Sequence, residues 1–400
     1  MRVGRSSFMF ERGAYIASSC TMVGPKEDAG AFGGLFDIVL SDDRCGEKSY
    51  EKAESRMHRT AIEGALARAG LADDGVDLML AGDLLNEISA SNLAMRHFKT
   101  PFLGLYNACS TFTEAVLLAA MLIDRGQIQR ACCSTSSHFA SAERQYRYPL
   151  ELGNQRTPTS QWTVTGAGAL VLSDESVQED ERAYEGFLER VSSLPPSDFA
   201  AKIAAKKGKM PVKVYRQGHE APFDAVVTGG TLGRVVDYGM LDESNMGAAM
   251  APAAADTLIG HFEDTGRTPG DYDAICTGDL GRFGSEALFA VLSSEGVDIE
   301  AKHLDLGAEY YLPEQKTFQG GSGAGCVNTA FCAFVLPKLR SGEWRRVLVL
   351  ATGALLSKDT PLQKESIPGI SHAFVAESAE KRESTLEKAQ KYYTIGQNRE

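Results

Sequence analysis

Apolar and polar positions along the chain form a pattern that occurs twice. Residues 57–89, MHRTAIEGALARAGLADDGVDLMLAGDLLNEIS, align without a gap on residues 253–285, AAADTLIGHFEDTGRTPGDYDAICTGDLGRFGS, at a constant offset of 196. Gly64, Gly70, Asp77, Gly82, Asp83, Leu84 and Ser89 recur as Gly260, Gly266, Asp273, Gly278, Asp279, Leu280 and Ser285. Each copy predicts an amphipathic helix closed by a glycine, a short acidic turn, then a buried strand ending in Gly-Asp-Leu. Residues 125–138 and 340–357 extend the parallel with a helix end, a turn, an arginine, an apolar strand and small polar residues. Strands alternating with helices favour parallel sheets covered on both faces, so the predicted class is α/β in two pseudo-symmetric halves. The halves are expected to pack through their sheets or central helices, with a site where strand ends converge.

The first half, 1–175, closes on the compact apolar strand TVTGAGALVLSDE, and the second, 231–377, opens with GRVVDYG. Between them, 176–230 is charged, carries two adjacent prolines and has no counterpart in the repeat. It reads as a surface insertion with some helix. Residues 378–400 read as a charged C-terminal extension, a frayed or docked helix.

The 400 residues carry a formal net charge of -12, which argues against a nucleic-acid surface. The start of the chain lacks an apolar signal core. The longest apolar run, Ala115 to Ile123, is far short of the roughly 20 residues a membrane span needs. An intracellular protein is expected, reaching any membrane through partners. The eight cysteines form no CxxC pair and no close Cys/His spacing, so reduced thiols and no metal site are expected. Cys132 and Cys133, adjacent in an apolar strand, read as small buried hydrophobes.

Cys109 is different. In LYNACSTFTEAVLLAAMLI it stands at the mouth of a long apolar helix, where free N–H groups and the helix dipole favour thiolate. A nucleophile, a ligand contact and an ordinary buried cysteine all fit that position. His138, after the strand ACCSTSS, could enter the same cavity, with Ser136 and Ser137 as short donors. Arg144 and Arg147 lie three apart and share a helix face, with Tyr148 next along, and on spacing alone they read as a dimer-interface or surface ion network with Glu143. Asp83 and Asp279 end equivalent strands, where they read as caps of the following helices.

The segments NACSTFTEA and TGAGALVLS, with the duplicated halves, resemble the thiolase superfamily. GPKEDAG (24–30), LAGDLLNE (80–87), ACSTFTE (108–114), TSSHFASAERQYRYP (135–149), GRVVDYG (233–239), MAPAAADT (250–257), GGSGAGC (320–326), ATGALLS (351–357) and QKESIP (363–368) resemble, more closely, the stage V sporulation protein AD family of spore-forming bacteria. The resemblance implies a thiolase fold, five layers in an αβαβα stack, as a homodimer. It also implies binding of dipicolinic acid, as its calcium chelate, during loading of the spore, a planar dicarboxylate that Arg144, Arg147 and Tyr148 would suit and whose calcium Asp83 and Asp279 could meet. The partners implied are membrane-embedded SpoVA-type subunits at the spore inner membrane, with no cofactor and calcium entering only as the chelate. The chain departs from the family in the insertion and at Gly369, where relatives carry cysteine.

An acyltransferase of this fold would use Cys109 as nucleophile with a His and an Asn, or two His, holding the thioester oxygen. Asp279 stands where the resemblance places the first histidine, and the loop that should offer the asparagine reads GGSGAGC, with Asn328 only in the next helix. A binding protein using Cys109, Ser136, Ser137, His138 and Arg147 is therefore the leading expectation. An acyltransferase with Cys109 and either His138 or His372 is the alternative.

Overall fold

In a computed structural model of the chain, the structure describes residues 1–146, 156–193, 212–215 and 221–380. Ten principal strands fall five to each half. The first half holds β1 (Ser7–Val23), β2 (Leu78–Gly82), β3 (Phe102–Gly104), β4 (Arg130–Ser137) and β5 (Gly166–Ser173). The second holds β6 (Phe223–Thr231), β7 (Ala274–Gly278), β8 (His303–Asp305), β9 (Arg346–Ala354) and β10 (Gly369–Glu380). The sheet order β3-β2-β4-β5-β1 repeats as β8-β7-β9-β10-β6, and β1 pairs with β6 antiparallel between them.

The sheets are mixed rather than parallel. β2, β3 and β4 pair in parallel, whereas β5 runs antiparallel to β4 and β1, and β10 to β9 and β6. β5 is buried at every position, so its pattern carries no sign of direction. The second half also opens earlier than the sequence suggests, at β6 inside the expected insertion. Gly229 and Gly230 of β6 fall at the end of the stretch read as an insertion, yet each lets a neighbouring strand's backbone approach where a Cβ would collide.

Helices α1 (Tyr50–Arg68), α2 (Ser89–Met95), α3 (Thr111–Asp124), α4 (Phe139–Tyr146) and α5 (Glu181–Ser192) belong to the first half by contact. Helices α6 (Met246–Thr265), α7 (Gly281–Ser294) and α8 (Ala324–Ala330) repeat α1, α2 and α3; α8 continues through a wide π turn, Phe331–Val335, into Leu336–Arg340. Three apolar cores separate the resulting layers. The central one joins α3 and α8 to the inner faces of both sheets, with Phe112, Phe331 and Phe374 meeting at ring distances of 5.4–6.0 Å. The outer cores lie under α1 and under α6. Strand alternation sorts neighbours between them: Cys132 faces the outer core and Cys133 the central one. The result is an αβαβα stack, the thiolase fold.

The repeat is visible as chemistry. Asp77 accepts the amides of Gln129 and Arg130 at 2.8 and 2.9 Å, and Asp273 those of Arg345 and Arg346 at 2.6 and 3.0 Å, so each aspartate fixes the entry to β4 or β9. Gly70 and Gly266 close α1 and α6 at φ 66° and 67°, where a side chain is strained. Within the expected insertion, α5 buries Tyr184, Phe187, Leu188 and Val191 against α1, so that stretch is core rather than surface.

Candidate functional site

The turn carrying Cys109 lies between β3 and α3. Ala108 is held at φ 50°, a conformation that costs a residue with a side chain about 1–3 kcal/mol and needs support. Support comes from three hydrogen bonds. The Asn107 amide donates to Thr111 Oγ1 at 3.0 Å, the same hydroxyl donates to the Ala108 carbonyl at 2.8 Å, and Ser110 Oγ donates to Ala351 of β9 at 2.9 Å. Gly353 of β9 runs so close that a Cβ there would overlap the Asn107 carbonyl. The turn is thus pinned from both halves.

The sulfur meets the backbone amides of Gly323 and of Cys109 itself, both of which favour thiolate. They are outweighed. Burial pushes the thiol well above its ordinary 9.0, and the nearby Asp279 charge pushes it further. The helix start is therefore not enough to make Cys109 a thiolate.

Asp279 marks where the two halves part. In the first half Asp83 is consumed as a cap for α2, accepting Leu85 N at 2.8 Å, Ser91 N at 2.7 Å and Ser91 Oγ at 2.6 Å. In the second half that work passes to Asp305, which accepts Leu280 N and Gly281 N at 3.2 Å, Ala308 N at 2.7 Å and Thr277 Oγ1 at 2.9 Å. Asp279 is freed. It sits at φ 68° with no exposed surface, and its carboxylate makes no hydrogen bond of ordinary geometry among the described residues, with only the Gly323 amide and the Cys326 thiol near enough to interact. Burial first, then the Asp305 charge, raise its carboxyl well above 3.8, with the Gly323 amide and Cys326 thiol opposing.

Cys109 and Gly323 line a narrow cleft with Leu84, Tyr106, Tyr146, Ala142, Met246, Met250, Ala354 and Leu356. Gln161, Thr163, Ser322 and Glu143 supply its polar atoms. Tyr106 and Tyr146 join hydroxyls at 3.0 Å across the mouth, and Tyr146 donates to the Leu84 carbonyl at 2.5 Å. Glu143 is met by Arg156 at 3.7 Å and by Thr163 Oγ1 at 3.4 Å. No lysine, arginine or histidine lines this cleft among the described residues.

Several residues singled out from the sequence lie elsewhere. Ser136 faces α1, donating to Glu54 Oε1 at 3.2 Å and meeting His58 Nδ1 at 3.2 Å, while Ser141 Oγ donates to Glu54 Oε2 at 2.8 Å. Ser137 donates to the Val164 carbonyl at 2.7 Å and accepts the Gly325 amide at 3.1 Å, bracing the Gly323 loop from beneath. His138 is fully buried, its Nε2 donating to the Asp43 carbonyl at 2.6 Å and its Nδ1 accepting the Ala140 amide at 3.1 Å. Both nitrogens are therefore used away from the cleft. Arg144 is exposed, paired with Glu51 at 3.5 Å. Arg147 and Tyr148 lie outside the described residues. His372 lies behind the cysteine turn, 3.2 Å from the Asn107 side-chain amide and accepting the Gly233 amide on Nδ1 at 3.1 Å, and burial lowers it to about 4. Asn328 gives its amide to the Gly168 carbonyl at 2.7 Å and Thr135 at 3.1 Å, inside the core.

Sequence reasoning missed Tyr106, Tyr146, Gln161, Thr163 and the two methionines of α6. One signal was available: Ala142 and Tyr146, four apart on α4, share the buried face, which leaves Arg144 on the other.

The stage V sporulation protein AD family model matches residues 4–186 and 213–377. Stage V sporulation protein AD of Bacillus subtilis (strain 168) is 40% identical over 376 residues, spanning 94% of this chain and 98% of that protein. Among solved structures, a variant of OleA from Xanthomonas campestris gives a TM-score of 0.52 at 15% identity, covering 92% of this chain and 97% of its own. Human mitochondrial 3-ketoacyl-CoA thiolase in complex with CoA gives 0.50 at 12%, covering 94% and 100%. At such identities these two likenesses speak for the fold alone. With both halves matched in the family model and nearly the whole length aligned at 40% identity, the chain belongs to the stage V sporulation protein AD family.

Proposed function

We propose that the chain serves sporulation as a receptor for dipicolinic acid, taken as its calcium chelate in the Cys109 cleft, without catalysis. The observation that carries this reading is a buried thiol with no base beside it: burial, more than any neighbouring charge, holds Cys109 protonated, and no histidine or lysine lines its cleft among the described residues to take the proton. The lining supports the chelate over the free acid. A dianion entering a cleft lined by no cationic side chain among the described residues would lose its hydration uncompensated, whereas one calcium neutralises both carboxylates. The pyridine faces suit Tyr106, Tyr146 and Met246, and the carboxylate rim suits Thr163, Gln161 and the Gly323 amide.

The acyltransferase alternative keeps one supporting observation, the pair of amides directed at the sulfur. No described helix is long and apolar enough to cross a membrane, so attachment to the spore inner membrane would run through SpoVA-type subunits. A homodimer belongs to the same reading. One surface it could use is the open edge of β3, where Leu103 is exposed.

Titration calorimetry tests the proposal. Calcium dipicolinate should bind saturably and more tightly than dipicolinate alone. Tyr106→Ala, a change at an exposed position, should weaken the chelate about tenfold, or about 1.4 kcal/mol. Free dipicolinate binding as tightly as the chelate, or a chelate affinity indifferent to Tyr106, would overturn it.

A further inference from the structure

A second concavity, of about 780 Å³, opens between α1 and the end of α2, on the outer layer of the first half. Lys52, Arg56 and Arg59 enter it from α1 at helical spacing, one face of the helix, and Arg96 and His97 enter from the chain just past α2. Its lining holds four permanent cations against a single carboxylate, Glu47, on a chain whose net charge is -12. Among the described residues, two of the four cations are paired and two are not. Arg56 meets Glu47 at 3.5 Å and Arg59 meets Glu63 at 3.1 Å, but Lys52 and Arg96 have no carboxylate partner among the described residues. Desolvation first, and then the guanidinium charges of Arg59 and Arg96, depress His97, so positive charge reaches that side of the groove.

Clustering like charges in this way costs stability and calls for a ligand to repay it. We propose that this groove is a second binding site, separate from the Cys109 cleft, for a small ligand carrying a diphosphate or similarly dense group of anionic oxygens. Guanidinium forks at 56, 59 and 96 can meet such oxygens in pairs, with Lys52 as a mobile point charge at the rim. The concave shape favours a discrete small anion. A flat anionic membrane would also meet the acidic remainder of the molecule.

Inorganic pyrophosphate is the probe, titrated by calorimetry into the whole chain at low ionic strength. Saturable binding is expected, weakening steeply with added salt and at least tenfold in Arg96→Glu and, separately, in Lys52→Glu. Both positions are exposed, and a melting temperature matching the parent shows each variant folded. Absence of pyrophosphate binding, or affinity unchanged in both variants, overturns the proposal. So does binding to phosphatidylglycerol–phosphatidylcholine vesicles that falls in the variants while pyrophosphate binding does not.

Discussion

At the scale of single residues, the site turns on which of two equivalent aspartates is free. Asp83 is spent on three hydrogen bonds at a helix start, and Asp279, its repeat, caps no helix and meets only the Gly323 amide and the Cys326 thiol among the described residues. Removing the Asp279 charge should therefore ease ionisation of Cys109. In Asp279→Asn the apparent pKa of the thiol, read from iodoacetamide alkylation rates across pH, should fall. Alkylation at pH 8 should rise several-fold and no more, because burial is the larger cause and remains. Rates identical to the parent would separate Asp279 from the thiol. The cysteine and Asp279 were both legible in the sequence, one from its helix start and one from the repeat. That Asp279 caps no helix was not, since Asp305, which relieves it, lies beyond the repeated segment.

Elements position the cleft more than its own side chains do. The strained Ala108 turn holds because β9 passes at Gly353 and because Ser110 reaches Ala351. Gly353→Ala should push the turn away, costing about 1–3 kcal/mol in urea unfolding and lowering chelate affinity by more than the lost stability explains. Stability and affinity both unchanged would show that the turn does not depend on this approach. Helix phase decided the other wall. Arg144 faces outward because Ala142, Glu143 and Tyr146 occupy the inner side of α4, and a three-residue spacing of arginines gave no means of choosing a face. His138 misled for a similar reason, since a strand end says where a side chain starts and not which carbonyl it finds.

Across the whole molecule, two copies of one αβ unit sandwich α3 and α8. This architecture was readable from the repeat, whereas strand direction was not, because fully buried strands look alike from either end. Close packing leaves neutral imidazoles inside. Burial lowers His58, His261 and His372 to about 4 from an ordinary 6.5. Between those values the unfolded chain binds more protons, so these histidines cost stability as pH falls through that window. Buried Glu27, Glu54, Asp83 and Asp279 are raised and act with the opposite sign, losing stability as pH rises. A difference measurement isolates one group. The urea-unfolding advantage of the parent over His58→Gln should shrink by about 2 kcal/mol between pH 6.5 and pH 5. A constant advantage would mean that His58 is not held neutral.

In the proposed receptor, the cleft keeps its thiol while no histidine lines it among the described residues to make that thiol react. The most direct measurement is the intact mass of the full chain after prolonged incubation with an acyl-coenzyme A at pH 7.5, with Cys109→Ala alongside. The account predicts identical, unmodified masses for both proteins. An acyl adduct on the parent that is missing from Cys109→Ala would contradict it and make the cleft an acyltransferase site.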